Sequence, residues 1–228
     1  MATGQCVHTL TGHSRPVRSA GFSQDGTQIV SASNDKTVRV WSVATGKCVG
    51  TLEGHSRWVR SAGFSPDGMN IVTGSMDGTV RVWSVATGDC VGTLEGHRAV
   101  VTSARFSPDG TQIVSASWGN TVRMWSAGDD GTWSTGPTAF EGHTGRVNSA
   151  RFSPDGKYIV SGSEDTTVKI WDVDRGKCIQ TIYTRYKVLD LDYCIDPIPR
   201  LLQRIHLLSL LTESGVSHDQ CKAILRMM

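Results

Sequence analysis

The sequence lacks any run of about 18 apolar residues, so no segment suits a membrane-spanning helix, and no membrane partner is expected. It also lacks an excess of either charge. With 23 Lys+Arg against 21 Asp+Glu, it offers no bulk attraction for nucleic acid or an anionic surface. The opening MATGQCVHTLTGH has neither a basic n-region nor an apolar h-region, so the expected location is intracellular, cytoplasmic or nuclear. There is no Cys-x-x-Cys pair to suggest zinc and no GxxxxGK[ST] loop to cradle a nucleotide. Aromatic residues are few, yet the 7 tryptophans outnumber the 4 tyrosines and the 5 phenylalanines. That skew has its cause in what the chain does contain.

It contains a repeat. Gly-His occurs at 12–13, 54–55, 96–97 and 142–143, and a tryptophan follows each histidine, at 41, 83, 125 and 171. Each unit holds an Asp-Gly pair: Asp25-Gly26, Asp67-Gly68, Asp109-Gly110 and Asp155-Gly156. In the first unit PVRSAGFS and TQIVSAS flank that pair, which is a hairpin signal because Asp and Gly tolerate positive φ. TVRVWSV alternates with β-branched residues, and ATGK turns the chain into CVGTL. Each unit therefore reads as a meander of four short strands. Cys6, Cys48, Cys90 and Cys178 occupy equivalent places in separate units, so they are not expected to pair. They are expected to be small buried strand residues in a reducing compartment.

These features resemble the WD-repeat β-propellers over residues 5 to 182, although only Trp171-Asp172 has the namesake pair and the other units read Trp-Ser. The resemblance implies an all-β array of four four-stranded antiparallel blades over 1–182. The near-identical units also resemble arrays attached to some signalling proteins. It further implies a hydrogen-bonded structural chain in each blade: His13, Ser31, Asp35 and Trp41; His55, Thr73, Asp77 and Trp83; His143, Ser161, Asp165 and Trp171. His97, Ser115 and Trp125 are the corresponding members in the third unit, where Gly119 replaces the aspartate. Asn120 is the residue expected to stand in after a small shift, and this blade is expected to be the most mobile.

A histidine, a hydroxyl and a carboxylate together also raise the question of a Ser-His-Asp hydrolase. An active site is one constellation aimed at one substrate, whereas this set is repeated in every unit without a G-x-S-x-G elbow. The structural reading prevails, with no catalytic residue. Histidines in four different blades are poor candidates for one metal site, and neither metal nor cofactor is expected.

The same resemblance places a top rim at Pro16, Arg18 and Asn34; Trp58, Arg60 and Met76; Val100, Thr102 and Trp118; and Arg146, Asn148 and Glu164. Trp, Met and Arg are enriched at interface centres, and Trp58 and Trp118 have no structural slot to fill. The rim is expected to capture a protein or peptide partner, with Arg18, Arg60 and Arg146 favouring an acidic or phosphorylated one. Arg39, Arg81, Arg123 and Lys169 read instead as a solvated strand face, not a nucleic-acid track. The insertion SAGDDGTWSTGPTAF at 126–140 is expected to weaken the third unit's last strand and to project Asp129, Asp130 and Trp133 from the lower face.

The pattern stops at Thr184-Arg185, and residues 183–228 are expected to form a short helical tail. Asp196 is its N-cap and Leu201, Ile205, Leu208 and Leu211 its apolar stripe. QCVHTL at the N-terminus is an orphan fourth strand, while the last unit already owns KCIQTI. Three arrangements stay open: a capped arc, a homodimer through exposed blade faces or the tail, or a fragment of a longer array. The function expected is a non-catalytic protein-interaction scaffold. The alternative is a sensor or autoinhibitory module of a larger signalling protein.

Overall fold

Alternation in TVRVWS and QIVSAS sends successive side chains to opposite sides of each strand, and the Asp-Gly pairs close the hairpins. The glycines of those pairs take φ of 71, 73, 77 and 74° at Gly26, Gly68, Gly110 and Gly156. The computed structural model describes residues 4–128, 132–134 and 139–191, all strand and turn with no helix among them.

Four antiparallel meanders result. Blade 1 is β1 (Val17–Phe22), β2 (Gln28–Ser33), β3 (Val38–Ser42) and β4 (Cys48–Leu52). Blade 2 is β5 (Val59–Phe64), β6 (Asn70–Ser75), β7 (Val80–Ser84) and β8 (Cys90–Leu94). Blade 3 is β9 (Val101–Phe106), β10 (Gln112–Ser117) and β11 (Val122–Ala127), with a broken outer strand of β12 (Trp133–Ser134) and β13 (Ala139–Phe140), both paired to β11. Blade 4 is β14 (Val147–Phe152), β15 (Tyr158–Ser163), β16 (Thr167–Asp172) and β17 (Lys177–Tyr183).

No blade has a core of its own. One cluster joins Val30, Val38, Val40 and Leu52 of blade 1 to Val59, Ala62, Ile71 and Trp83 of blade 2. The next joins Val72, Val80, Val82 and Leu94 to Val101, Ala104, Ile113 and Trp125, and a third links blades 3 and 4 in the same way. Each blade thus has a leading face, bearing the tryptophan, and a trailing face that meets the next blade. β5 packs on β1, β9 on β5 and β14 on β9, while no packing of that extent joins β14 to β1 among the described residues. Hydrogen bonds reinforce the stack: the Ala104 amide donates to Ser61 Oγ (3.0 Å) and the Ala150 amide to Ser103 Oγ (3.1 Å).

Several local expectations are corrected. Cys6, Cys48, Cys90 and Cys178 are exposed; the last three sit on outermost strands that turn them away from the inter-blade cores. Cys48 Sγ donates to its own strand's Gly50 carbonyl (3.3 Å). Arg39, Arg81 and Arg123 are half-buried rather than solvated. Arg81 lies 5.9 Å from the Trp83 ring centre, and a Cβ on Gly54 (φ +149°) would fall 2.7 Å from its Nη1. The Gly-His glycine is therefore required where the arginine slides beneath it. Trp133 does not project: it packs on Gly92 and meets Phe106 edge-on at 5.7 Å, closing the seam between blades 2 and 3. Asp129 and Asp130 lie outside the described residues. The orphan QCVHTL forms no strand, and Val7 is 83% exposed.

The first residues of the 183–228 segment precede the expected N-cap at Asp196. Tyr183 ends β17, and the chain after it is held to blade 4. The Thr184 amide donates to the Thr166 carbonyl (2.8 Å) and the Val188 amide to the Ser163 carbonyl (3.0 Å). The helices expected from Asp196 onward lie outside the described residues.

Candidate functional site

The repeated histidine sets come together as continuous chains. Trp83 Nε1–H donates to Thr73 Oγ1 (2.9 Å), and the Thr73 hydroxyl faces His55 Nε2 at 2.8 Å. His55 Nδ1 then meets Asp77 Oδ2 at 2.8 Å. The polarity follows from the carboxylate, which can only accept: Nδ1–H donates to Asp77, so the neutral ring's Nε2 accepts from the Thr73 hydroxyl, which in turn accepts from the indole. His13, Ser31, Asp35 and Trp41 repeat the pattern at 2.7–2.8 Å, as do His143, Ser161, Asp165 and Trp171.

Each aspartate also gathers backbone amides. Asp35 accepts from the Ser14 amide (3.1 Å), the Thr37 amide (3.0 Å) and the Thr37 hydroxyl (2.7 Å), tying the inter-blade loop to the turn. Burial opposes ionisation of Asp35, Asp77 and Asp165, but hydrogen bonds from the neighbouring threonine and the histidine outweigh it and hold all three well below the ordinary carboxylate range. All these groups are saturated by one another. Thr73 and Ser161 are fully buried, so neither hydroxyl is presented to a substrate.

Blade 3 solves the missing carboxylate differently from the expectation. Asn120 does not reach His97. It adopts φ 63° and its Nδ2 donates to the Thr144 carbonyl at 3.4 Å. Thr121 Oγ1 takes its place, 3.2 Å from His97 Nδ1, and Ser115 Oγ lies 2.7 Å from Nε2. With no carboxylate beside it, burial pushes the His97 imidazole down to about 3, helped by the Arg123 charge. It stays neutral.

The rim residues divide into two groups. Some are engaged by bonds of their own, within a blade, to the next blade or to the segment after blade 4. Thr102 is buried, its hydroxyl 2.8 Å from the Val147 carbonyl of the next blade, and Asn34 is buried with its Oδ1 accepting from Arg18 Nε at 2.8 Å. Asn148 Nδ2 donates to the Val188 carbonyl (2.9 Å), and Glu164 is paired with Lys187 at 3.3 Å.

The rest form an open aromatic and cationic strip. Arg18 lies 5.7 Å from the Trp58 ring centre, and Trp118 sits between Arg60 (5.5 Å) and Arg146 (4.5 Å). Trp58 is 39% exposed, Pro16 and Arg146 are exposed, and Met76 and Val100 are half-buried. No carboxylate pairs with Arg18, Arg60 or Arg146 among the described residues. Burial and the nearby Arg18 charge lower the Arg60 guanidinium from its usual value. Sequence reasoning missed the interleaving: each arginine reaches across a blade boundary, a relation that spacing inside one unit does not encode.

On the opposite face, Ser23, Asp25, Pro66 and Asp67 line a shallow groove. Its carboxylates are engaged by Ser23 Oγ (2.6 Å) and Ser65 Oγ (2.5 Å), and no metal-competent cluster of His, Cys, Asp or Glu occurs among the described residues.

Comparison with known proteins matches the family described as "WD domain, G-beta repeat" at residues 4–42, 46–84, 88–126 and 136–172. Among curated proteins, periodic tryptophan protein 2 of Saccharomyces cerevisiae is 49% identical over 41 residues, 18% of this chain and 4% of that protein. Vegetative incompatibility protein HET-E-1 of Podospora anserina is 46% identical over 39 residues, 17% of this chain and 3% of that protein. Pre-mRNA-processing factor 19 homolog 2 of Arabidopsis thaliana is 51% identical over 39 residues, 17% and 7% of the two chains. The similarity to each is thus the length of one repeat and a small fraction of the relative.

Proposed function

The chain belongs to the WD-repeat family, and from that premise we propose that it is a non-catalytic scaffold whose upper rim captures a peptide or loop of a protein partner. The observation that carries the reading is the strip of Arg18, Trp58, Arg60, Trp118 and Arg146. Guanidinium groups stacked on indole faces are pre-ordered and part-desolvated, so little side-chain entropy remains to be lost on binding. Their charge is uncompensated because Glu164, the rim's carboxylate, is occupied by Lys187. The favoured ligand is therefore an extended segment carrying carboxylate or phosphate groups, with an apolar side chain against Trp58 and Met76. The location proposed with it is intracellular, supported by four exposed free thiols.

The test is a peptide array of matched acidic, phosphorylated and neutral sequences, probed with the wild-type chain and with Trp58→Ala plus Arg60→Ala. Acidic or phosphorylated peptides are expected to bind the wild type and to lose at least about tenfold in the variant, with affinity falling as salt rises. Equal binding by the two proteins, with folding unchanged by circular dichroism, overturns the assignment.

A further inference from the structure

Two rim positions are bonded differently in blades 1 and 4. In blade 1 they hold Asn34 and Arg18, and Asn34 Oδ1 accepts from Arg18 Nε at 2.8 Å, so the side chains satisfy each other. In blade 4 they hold Glu164 and Asn148, and both turn to the segment that follows β17. Asn148 Nδ2 donates to the Val188 carbonyl (2.9 Å), and Lys187 Nζ donates to Glu164 Oε2 (3.3 Å). That segment is a strap anchored on both sides of Lys187. The Thr184 amide donates to the Thr166 carbonyl (2.8 Å) and the Val188 amide to the Ser163 carbonyl (3.0 Å), and Val188 is buried. An exposed ion pair is weak by itself, but here the backbone presents the lysine to its partner.

Glu164 has a second cation beside it. Its amide donates to the Arg146 carbonyl (2.9 Å), which makes the two residues neighbours across strands. Arg146 nevertheless directs its guanidinium to Trp118, 4.5 Å from the ring centre. A carboxylate set free next to a guanidinium draws it into a charge-assisted pair. We infer that Lys187 is a positioning residue for the anion-binding strip: by engaging Glu164 it leaves Arg146 stacked on Trp118 and open to a ligand's anionic group. The effect on binding rests on the rim reading proposed above, whereas the effect on Arg146 can be read with no ligand present.

Trp118 supplies that readout. Arg60 and Arg146 flank its ring, and its indole Nε1–H is buried without an acceptor among the described residues. Burial alone therefore shields this proton from exchange with water. Withdrawal of Arg146 toward Glu164 uncovers the ring on one side and alters its magnetic surroundings. Trp58 is the internal control, because its cation is Arg18 of blade 1. The Lys187 side chain is 62% exposed, so shortening it disturbs no packing.

The test is the set of indole N–H resonances of the isotope-labelled full chain, assigned with single Trp→Phe variants. Lys187→Ala is expected to shift the Trp118 resonance and speed its exchange with water while leaving Trp58 unmoved. Lys187→Arg should keep the wild-type spectrum, and Glu164→Gln added to Lys187→Ala should restore it. In binding of an acidic or phosphorylated peptide, Lys187→Ala should cost about threefold to fivefold, and nothing further once Arg146→Ala is present. A mere loss of positive charge would instead weaken both backgrounds alike. That result, an unmoved Trp118 resonance in Lys187→Ala, or no restoration by Glu164→Gln overturns the inference. If the wild type binds no such peptide, the rim reading falls, and the Trp118 spectra alone uphold or overturn the role of Lys187.

Discussion

Replacing Gly119 with aspartate would put a carboxylate where Asp35, Asp77 and Asp165 stand in the other blades. The backbone accepts it: Gly119 has no positive φ, and a Cβ there would meet Ser117 Oγ at 3.5 Å and Ala99 Cβ at 3.6 Å, ordinary contacts. The new side chain would accept from His97 Nδ1 and from the Thr121 amide and hydroxyl, copying what Asp35 does. Gly119→Asp is expected to stabilise the fold by about 1–3 kcal/mol, read as a higher midpoint in chemical denaturation. No change would mean that Thr121 already satisfies His97 in full. The histidine, hydroxyl and tryptophan of each set are identifiable in the sequence because they recur at fixed spacing. Thr121 as the replacement partner is not, because Thr37, Thr79 and Thr167 hold its position in blades where the aspartate overshadows them.

Blade 3 differs from its neighbours as an element as well. Its outer strand is broken into β12 and β13, and it lacks the aspartate that binds loop amides elsewhere. Fewer cross-strand and loop bonds mean a lower free energy for local opening. Hydrogen exchange is expected to show the lowest protection in β9 to β11, and uniform protection across the blades would contradict this. Trp133 partly compensates by filling the seam against Gly92 and Phe106. Trp133→Ala should cost about 2 kcal/mol and speed exchange in β8 and β11 together; an effect confined to one blade would show that the seam does not depend on it. The insertion was recognisable as an interruption of the repeat, but the packing of Trp133 on Gly92 and Phe106 was not. Whether a tryptophan in a loop points out or in depends on a hole left by another blade.

For the molecule as a whole, acid is expected to destabilise the array. Asp35, Asp77 and Asp165 stay ionised in the fold to well below the pH near 4 at which the unfolded chain takes up those protons. Their stabilisation is present above that pH and lost below it. His97 acts in the same direction over a higher window: its imidazole is neutral in the fold down to about 3, whereas the unfolded histidine protonates below about 6.5. The melting temperature should therefore fall from about pH 6.5 as the His97 contribution is lost and fall further below about pH 4 as the aspartate contributions go, and a flat profile from pH 7 to pH 3 would refute the role given to these groups. The sequence by itself determined the four blades, their strand order within each meander and the histidine chains, because these rest on local periodicity and on contacts inside one repeat. Only the tertiary structure decided which side chains each blade lends to the next: the arginines beneath the Gly-His glycines, the Arg–Trp strip, the exposed cysteines and the bare leading face of blade 1. Burial in a stacked array belongs to pairs of units, so the first unit can match the second almost residue for residue and still leave Phe22 in water.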